Sequence, residues 1–447
     1  MNVEIAPFFT TEELNELAKE TKFVQREYGG SKIDGAIFLD LIVFHNENLK
    51  EQSLRDFSSM LKDELRIEIS KQGLHKRFNE YAVAFLSTAL EKLLQQQLQN
   101  SAIKLLDNEF NRVLIKDSVC FQVHESMAEF YPGSGGSGSK AAIRIQFEFD
   151  LLSGKITDIS INAFNEQDAK DSLATIENVE EGDLIIRDLA YMSLAVLKKT
   201  IKKLALYLCR PNTHVKMYEL KHGNYVEINF NSIVKYMKRH KISFMEKDVY
   251  YGNNEKLKTR LILHLLPAEE LAKRLRKARK NAKKKGKGNL SKNYKARAGL
   301  NLFITNASKE QIPAENVWPI YRLRWQIELM FKIWKSICDI EKVKKVNKER
   351  LECHVYSKLI FIVLGWKMVW MVAKNMYRIS GKALSFFKAF KTLFKRKIGE
   401  FQNALEFSKD GMIKFILDFY DLSTTNHLLE KRKQEPTSLE IILGCLN

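Results

Sequence analysis

Ala142-Ile-Arg-Ile-Gln-Phe-Glu-Phe-Asp150 alternates apolar and polar residues at nearly every step. A period of two is the period of a strand with unlike faces. Leu151-Leu-Ser-Gly154 then turns the chain, and residues 155–162 alternate again, so a hairpin is expected. Upstream lies Arg112-Val-Leu-Ile-Lys-Asp117, a short apolar run that ends in an aspartate. Downstream, residues 166–176 read as a helix, and Asp183-Leu-Ile-Ile-Arg-Asp188 is a second buried strand ending in an aspartate. A helix near 193–202 and a strand over 204–209 complete the series. The order is strand, strand, strand, helix, strand, helix, strand.

That order is the order of a ribonuclease-H-like core, and an α/β fold of that class is expected. Residues 1 to about 105 read as helical, with Thr10-Thr-Glu-Glu-Leu14 as a capping signal. Further helices are expected over 53–66 and 80–98, around a basic loop, Ser70 to Asn79, which suits either a small DNA-binding module or a solvated bundle loop. Residues 211–305 break the α/β rhythm with strands at 215–220, 225–230, 243–250 and 260–265. Residues 271–298 hold thirteen Lys or Arg and no acid, the pattern of a solvated helix, a disordered arm or a DNA-contacting arm. The expected domains are a helical DNA-binding region (1–105), a first core part (106–210), a β-rich insertion (211–305), a second core part (306–380) and a helical C-terminal region (381–447).

The chain has 73 basic and 54 acidic residues, a formal charge of +19. That excess favours a polyanionic partner, nucleic acid or an anionic membrane, over a role in solubility alone. The membrane reading is weak. The opening residues lack the basic-then-apolar pattern of a signal peptide, and the most apolar stretch, 359–373, is short and holds Lys367. Five scattered cysteines with no C-x2-C pair support neither zinc nor a disulfide framework. A reduced, cytoplasmic, nucleoid-associated protein is expected.

The chemistry concentrates in Tyr321-Arg-Leu-Arg-Trp-Gln-Ile-Glu-Leu-Met-Phe-Lys-Ile-Trp-Lys335. On one continuous helix Tyr321, Arg324, Glu328 and Lys335 fall at roughly 0°, −60°, −20° and −40°, a single polar stripe. Ile320, Leu323, Ile327, Phe331 and Trp334 fall on another face, which is expected to be buried. One carboxylate beside two cations and a phenol suits metal-assisted phosphoryl transfer on a nucleic acid. Such chemistry needs several converging carboxylates. Asp117 and Asp188, each closing an apolar run, are the candidates, with Asp150 and Asp183 as rivals. Taken singly, each aspartate reads more readily as a turn or cap residue. His124 is a candidate outer-sphere group or a core histidine, and Trp325 and Trp334 are expected to pack.

Taken together, these residues resemble a family. Y-x2-R-x3-E-x6-K is the signature of the DDE transposases of the insertion-sequence-four family, and Tyr321, Arg324, Glu328 and Lys335 match each position. Asp117-Ser118 is similar to the family's first-aspartate motif. Asp188-Leu-Ala-Tyr191 is similar to the second, with Ala190 in place of a glycine. The Pro132-Gly-Ser-Gly-Gly136 loop and Leu208-Cys-Arg210 are also similar. The resemblance implies that Asp117, Asp188 and Glu328 are catalytic and hold two Mg2+ ions, with Mn2+ able to substitute. It implies that Tyr321, Arg324, Lys335, Arg210 and Lys332 contact DNA. The implied partners are double-stranded DNA, both terminal inverted repeats and target, and a second copy of the chain in a homodimer. Cut-and-paste transposition is the implied activity. A nuclease or resolvase without strand transfer, and a DNA-binding relic, stay open as alternatives. Some members stack a flipped base on a tryptophan of the insertion; here the matching strand holds Asn301 and Phe303.

Overall fold

The computed structural model of the chain describes residues 9–25, 32–45, 49–98, 110–135, 140–284, 286, 289–407 and 409–430. The opening residues read against a signal peptide, the end of the glycine loop and Cys445 lie outside them. The architecture is mixed α/β. In chain order the elements begin with α1 (Thr11–Glu20), α2 (Gly35–Phe44), α3 (Leu54–Leu65), α4 (Lys71–His75) and α5 (Glu80–Leu98). Next come β1 (Val113–Gln122), β2 (Ala142–Asp150), β3 (Ile156–Ala163), α6 (Asp168–Ala174), β4 (Leu184–Arg187), α7 (Leu194–Lys202) and β5 (Leu206–Cys209). Then follow β6 (Met217–Lys221), β7 (Asn224–Glu227), α8 (Phe230–Arg239), β8 (Phe244–Tyr251), β9 (Leu257–Leu265), α9 (Ala268–Lys284), α10 (Lys292–Ala298) and β10 (Leu300–Thr305). The last are α11 (Val317–Arg322), α12 (Trp325–Ser336), α13 (Lys348–Ser380), α14 (Phe386–Arg396), α15 (Ile398–Phe407) and α16 (Lys409–Asn426).

The chain divides into two compact units. The first comprises Met1–Ile103, Ser118–Glu166 and Gln326–Cys445; the second comprises Lys104–Asp117, Gln167–Trp325 and Leu446–Asn447.

The first unit is mainly helical. Thr10 caps α1 with a reciprocal capping box, accepting from the Glu13 amide while Glu13 accepts from its own. Ser53 and Asp56 do the same for α3. The hairpin β2–β3 pairs antiparallel from Ile143↔Ala163 to Phe149↔Ile156. Gly154, in its turn, has φ +76°, and a Cβ there would meet the Trp370 indole at 2.4 Å, so only glycine fits. The aromatic core joins Phe147 to Trp334 (4.9 Å between centroids) and Phe149 to Trp366 (5.5 Å). Around it runs α13, the one helix among the described residues long and apolar enough to cross a membrane; its apolar window is 83% buried, as in a core helix.

The second unit is built on a sheet in the order β1-β4-β5-β10-β9-β8-β6-β7. The pairs β1–β4 and β4–β5 are parallel and the rest are antiparallel. Buried runs such as Leu184-Ile-Ile186 are what parallel strands covered on both faces require. One face carries Leu114, Ile185 and Tyr207 against Val196 and Leu197 of α7 and Ile176.

Several sequence expectations need correction. Asp117 does not end its strand: β1 runs on to Gln122, because Ser118-Val-Cys-Phe-Gln122 keeps alternating and buries Val119 and Phe121. The strand expected over 225–230 stops at Glu227, and Asn229 caps α8, whose Phe230 and Met237 are buried on one side. Leu204 adopts φ 56°, a left-handed turn, so β5 starts two residues later than expected.

Candidate active site

The residues singled out around 321–335 do not share one helix. Bonds from the Leu323 amide to Ile320 and from the Arg324 amide to Tyr321 tighten the chain into an i→i−3 turn between α11 and α12. The expected apolar face holds: Ile320, Leu323, Ile327, Phe331 and Trp334 are all buried. The expected polar stripe does not, because Tyr321 is only 2% exposed and Arg324 9%. Trp334 packs as expected, whereas Trp325 is 43% exposed and meets Trp318 at right angles, with ring centroids 5.8 Å apart.

Within the second unit the sheet register assembles a row of functional groups. β1 and β4 pair in parallel up to Lys116↔Arg187, so the next position on each strand is Asp117 and Asp188. β4 and β5 pair up to Ile186↔Leu208, which sets Arg210 beside Asp188 two positions on. Neighbouring strands lie about 4.8 Å apart, so the row is compact. Asp117 and Asp188 are half-buried, open enough to meet a ligand. Arg324 donates from Nη1 to Asp117 Oδ2 at 3.1 Å. Arg210 stacks over Tyr321 (5.5 Å) and Phe303 (5.9 Å). Burial pushes the Tyr321 phenol above its usual range; Arg210 and Arg324 oppose the shift and Asp188 adds to it. Burial also pushes the Cys209 thiol up, again with Asp188 adding to it. Asp117, Asp188, Arg210, Tyr321 and Arg324 therefore share one electrostatic neighbourhood. Phe303 is fully buried beside Tyr321, Trp318 and His264.

Glu328, Lys332 and Lys335 belong to the first unit. Glu328 is exposed in the first turn of α12. Lys332 is exposed and sits over the Phe387 ring at 4.9 Å. Lys335 donates to the Cys120 carbonyl at 2.9 Å and pairs with Glu341 at 3.1 Å. Among the described residues no group of three or more His, Cys, Asp and Glu forms a metal cage.

The rival aspartates have structural work. Asp150 accepts from the Leu152 and Ser153 amides, both at 3.0 Å, and shapes the hairpin turn. Asp183 takes a fork from Arg112 at 2.9 and 2.6 Å. His124 is exposed, with Nδ1 2.9 Å from Ser126 Oγ at the start of a short 3-10 turn.

Sequence reasoning missed what stands behind the two acids. Lys116 and Arg187 are fully buried, facing each other in the β1–β4 register. Lys116 lies 2.7 Å from Asp171 and donates to Thr175 Oγ1 at 2.8 Å. Arg187 donates to Ser172 Oγ at 2.5 Å. Both strands are thereby tied to α6 and the turn after it, one residue before the acids. The signal was present: Val-Leu-Ile-Lys-Asp117 and Leu-Ile-Ile-Arg-Asp188 repeat one pattern, three aliphatics, a cation and an aspartate.

Comparison with known proteins identifies the family. A family model described as transposase DDE domain matches residues 108–364, which include Asp117, Asp188 and the whole 321–335 segment. The transposase for insertion sequence element IS231F of Bacillus thuringiensis subsp. israelensis is 34% identical over 86% of this chain and 83% of its own length. That for IS231B of Bacillus thuringiensis subsp. berliner is 29% identical over 98% of this chain and 94% of its own. That for IS1151 of Clostridium perfringens is 30% identical over 88% and 86%. The chain belongs to the transposases of the DDE-domain family.

Proposed function

We propose that this transposase cuts DNA at the ends of an insertion sequence and joins the freed ends to target DNA, a cut-and-paste reaction. The observation that supports this most is the register that places Asp117 and Asp188 side by side, with Arg210 next in the row. Asp117, Asp188 and Glu328 are the proposed catalytic carboxylates. Half-buried carboxylates offer the hard oxygen donors that suit Mg2+, and the guanidinium of Arg324 on Asp117 marks a position where a cation is already favoured. When bound, two Mg2+ ions, or Mn2+ in their place, supply Lewis-acid activation of the attacking oxygen and stabilisation of the leaving one.

The remaining roles are those of the chain's own groups. Arg324, Arg210, Lys332 and Lys335 grip phosphates of the element's end, the arginines by their forks and the lysines as point charges. For this, Arg324 exchanges Asp117, and Lys335 exchanges Glu341, for phosphate oxygen. Tyr321 completes the group, its ring holding Arg210 in place. Water attacks the phosphodiester at the element's end and frees a 3′-hydroxyl; that hydroxyl then loses its proton and attacks a target phosphorus, forming a new phosphodiester as the target's own P–O3′ bond breaks and its 3′-oxygen leaves as a hydroxyl. The fold reading that goes with this is a ribonuclease-H-like core in two parts, 106–210 and 306–380. It is interrupted by the β-rich insertion 211–305 and flanked by a helical DNA-binding region, 1–105, and a C-terminal helical region, 381–447. A homodimer pairing two terminal inverted repeats, in the cytoplasm on the nucleoid, is the working assembly.

The test is incubation of the full chain with a duplex bearing the element's end, a target plasmid and Mg2+. Cleavage at the end followed by a joined product is the expected result. Cleavage with free 3′-hydroxyl ends and no joining would reassign the protein as a nuclease, and absence of cleavage in both Mg2+ and Mn2+ would overturn the catalytic reading.

A further inference from the structure

Six of the eight cations of α9 lie on one side; Arg274 and the exposed Arg279 fall outside it. At about 100° per residue, Lys273, Arg276, Lys277, Lys280, Lys283 and Lys284 fall within an arc of roughly 60–180°. All six are exposed. Leu271, Leu275, Ala278 and Ala282 fall at about 280–340° and are half-buried. No residue of α9 is fully buried, so the helix is not there to fill a core. Its orientation is nevertheless fixed. The Arg274 guanidinium donates to the carbonyls of Ala298 and Leu300, both at 3.1 Å, and to Asn301 Oδ1 at 2.8 Å.

This arrangement has a cost. Lys273 and Lys277, Arg276 and Lys280, and Lys280 and Lys284 stand at i,i+4, where like charges destabilise a helix by about 0.2–0.5 kcal/mol per pair. Interspersed signs would serve solubility without it. Acids occur only in the first turn, at Glu269 and Glu270, and Glu270 pairs with Lys273 at 2.8 Å. A one-signed face about 17 Å long matches the phosphates along roughly five base pairs of duplex. Five of the six cations are lysines, point charges that a phosphate satisfies without a bidentate geometry.

We propose that this face of α9 holds duplex DNA by its phosphate backbone without reading sequence. The inference rests on DNA as the substrate of the family and not on the assignment of the three acids. It is read in binding alone, so it fails separately from a cleavage result.

The experiment compares the full-length protein with a Lys273→Gln/Lys277→Gln/Lys280→Gln/Lys284→Gln variant and with the same four positions changed to Arg. Affinity for a random-sequence duplex and for a duplex bearing the element's end is measured by fluorescence anisotropy across a potassium chloride series. The Gln variant is expected to flatten the slope of log K against log salt by about 2–4, to weaken both duplexes by the same factor, and to do so by at least about tenfold near 0.1 M salt. The Arg variant is expected to keep the slope, which shows that charge and not a lost fold is responsible. A slope unchanged in the Gln variant overturns the proposal, as does a loss confined to the end-bearing duplex or one shared by the Arg variant.

Discussion

Lys116 and Arg187 are as buried as any side chain in the second unit; Lys280 and Lys284, in the same unit, stand in solvent. The same residue types therefore do two different things. Behind the acids, where water is excluded, a cation is tolerated only with a partner held at bonding distance, so it fixes geometry. On α9, where water screens every pair, a cation fixes little locally but adds to a field that reaches a polyanion. One region spends charge on placement, the other on attraction, and each can be perturbed without the other.

The sharpest break comes from Lys116→Met. It fills much the same volume but removes the cation that stood 2.7 Å from Asp171. Removing one partner of a buried pair costs about 3–5 kcal/mol, and replacing both by apolar groups restores much of that. The denaturant midpoint of Lys116→Met should therefore fall markedly, and Lys116→Met/Asp171→Leu should recover at least half the loss. A single variant as stable as the parent would mean that Lys116 is not holding the strand.

The acids in front test the other half of the same strands. Asp188→Asn keeps the shape but removes the charge. Partners standing behind a metal ligand are already worth about 10–100-fold, so loss of a proposed ligand should lower end cleavage by more than about 100-fold. Duplex affinity and the unfolding midpoint should barely change. Cleavage within a few-fold of the parent, with binding intact, would remove Asp188 from the site.

How much of this was legible in the sequence follows the same division. The hairpin 142–163 could be read because period two, a turn and period two again admit one arrangement. Asp117 and Asp188 stand out as aspartates closing aliphatic runs, and only the resemblance around Asp117-Ser118, Asp188-Leu-Ala-Tyr191 and 321–335 turns them from turn or cap residues into candidate acids. Lys116 and Arg187 escaped notice because a cation next to an aspartate in sequence suggests a solvated pair, whereas strand geometry sends the two side chains to opposite faces. The break at Leu323 and Arg324 has no glycine or proline to announce it. Leu323 is 1% exposed, as it would be on an unbroken helix, so neither residue type nor burial marks the break. α8 was missed for the opposite reason. Asn229, Phe230, Ile233, Val234 and Met237 carry a cap and helical spacing, but the preceding Tyr225-Val-Glu-Ile228 alternates, and the strand reading ran on through it.

Burial also controls charge in the first unit, where pH replaces mutation as the probe. His354 on α13 is 2% exposed, and burial, with Lys358 and Arg350 nearby, holds its pKa well below the ordinary 6.5. The folded state thus binds that proton less readily than the unfolded chain. The stability that follows is present above pH 6.5 and is lost as pH falls toward the folded pKa, at up to about 1.4 kcal/mol per pH unit. Unfolding free energies measured between pH 7 and about pH 5.5 should show this limb. His354→Leu should flatten it; an unchanged limb in that variant would assign the acid sensitivity to other groups.

The smallest effect is the one that best separates the two uses of charge. Lys280→Gln on α9 removes an exposed cation flanked by Arg276 and Lys284 at i,i+4, so it relieves like-charge repulsion on the helix. Its unfolding free energy should stay within about 0.5 kcal/mol of the parent, and if it moves it should rise. Its salt slope for duplex binding should nevertheless flatten by about 0.9, one phosphate contact's worth. A buried cation such as Lys116 is expected to give the reverse, a large loss of stability with little change in slope for the molecules that remain folded. If Lys280→Gln destabilised the fold and left the slope alone, α9 would belong with Lys116 as a scaffold charge, and the contrast between the two regions would collapse.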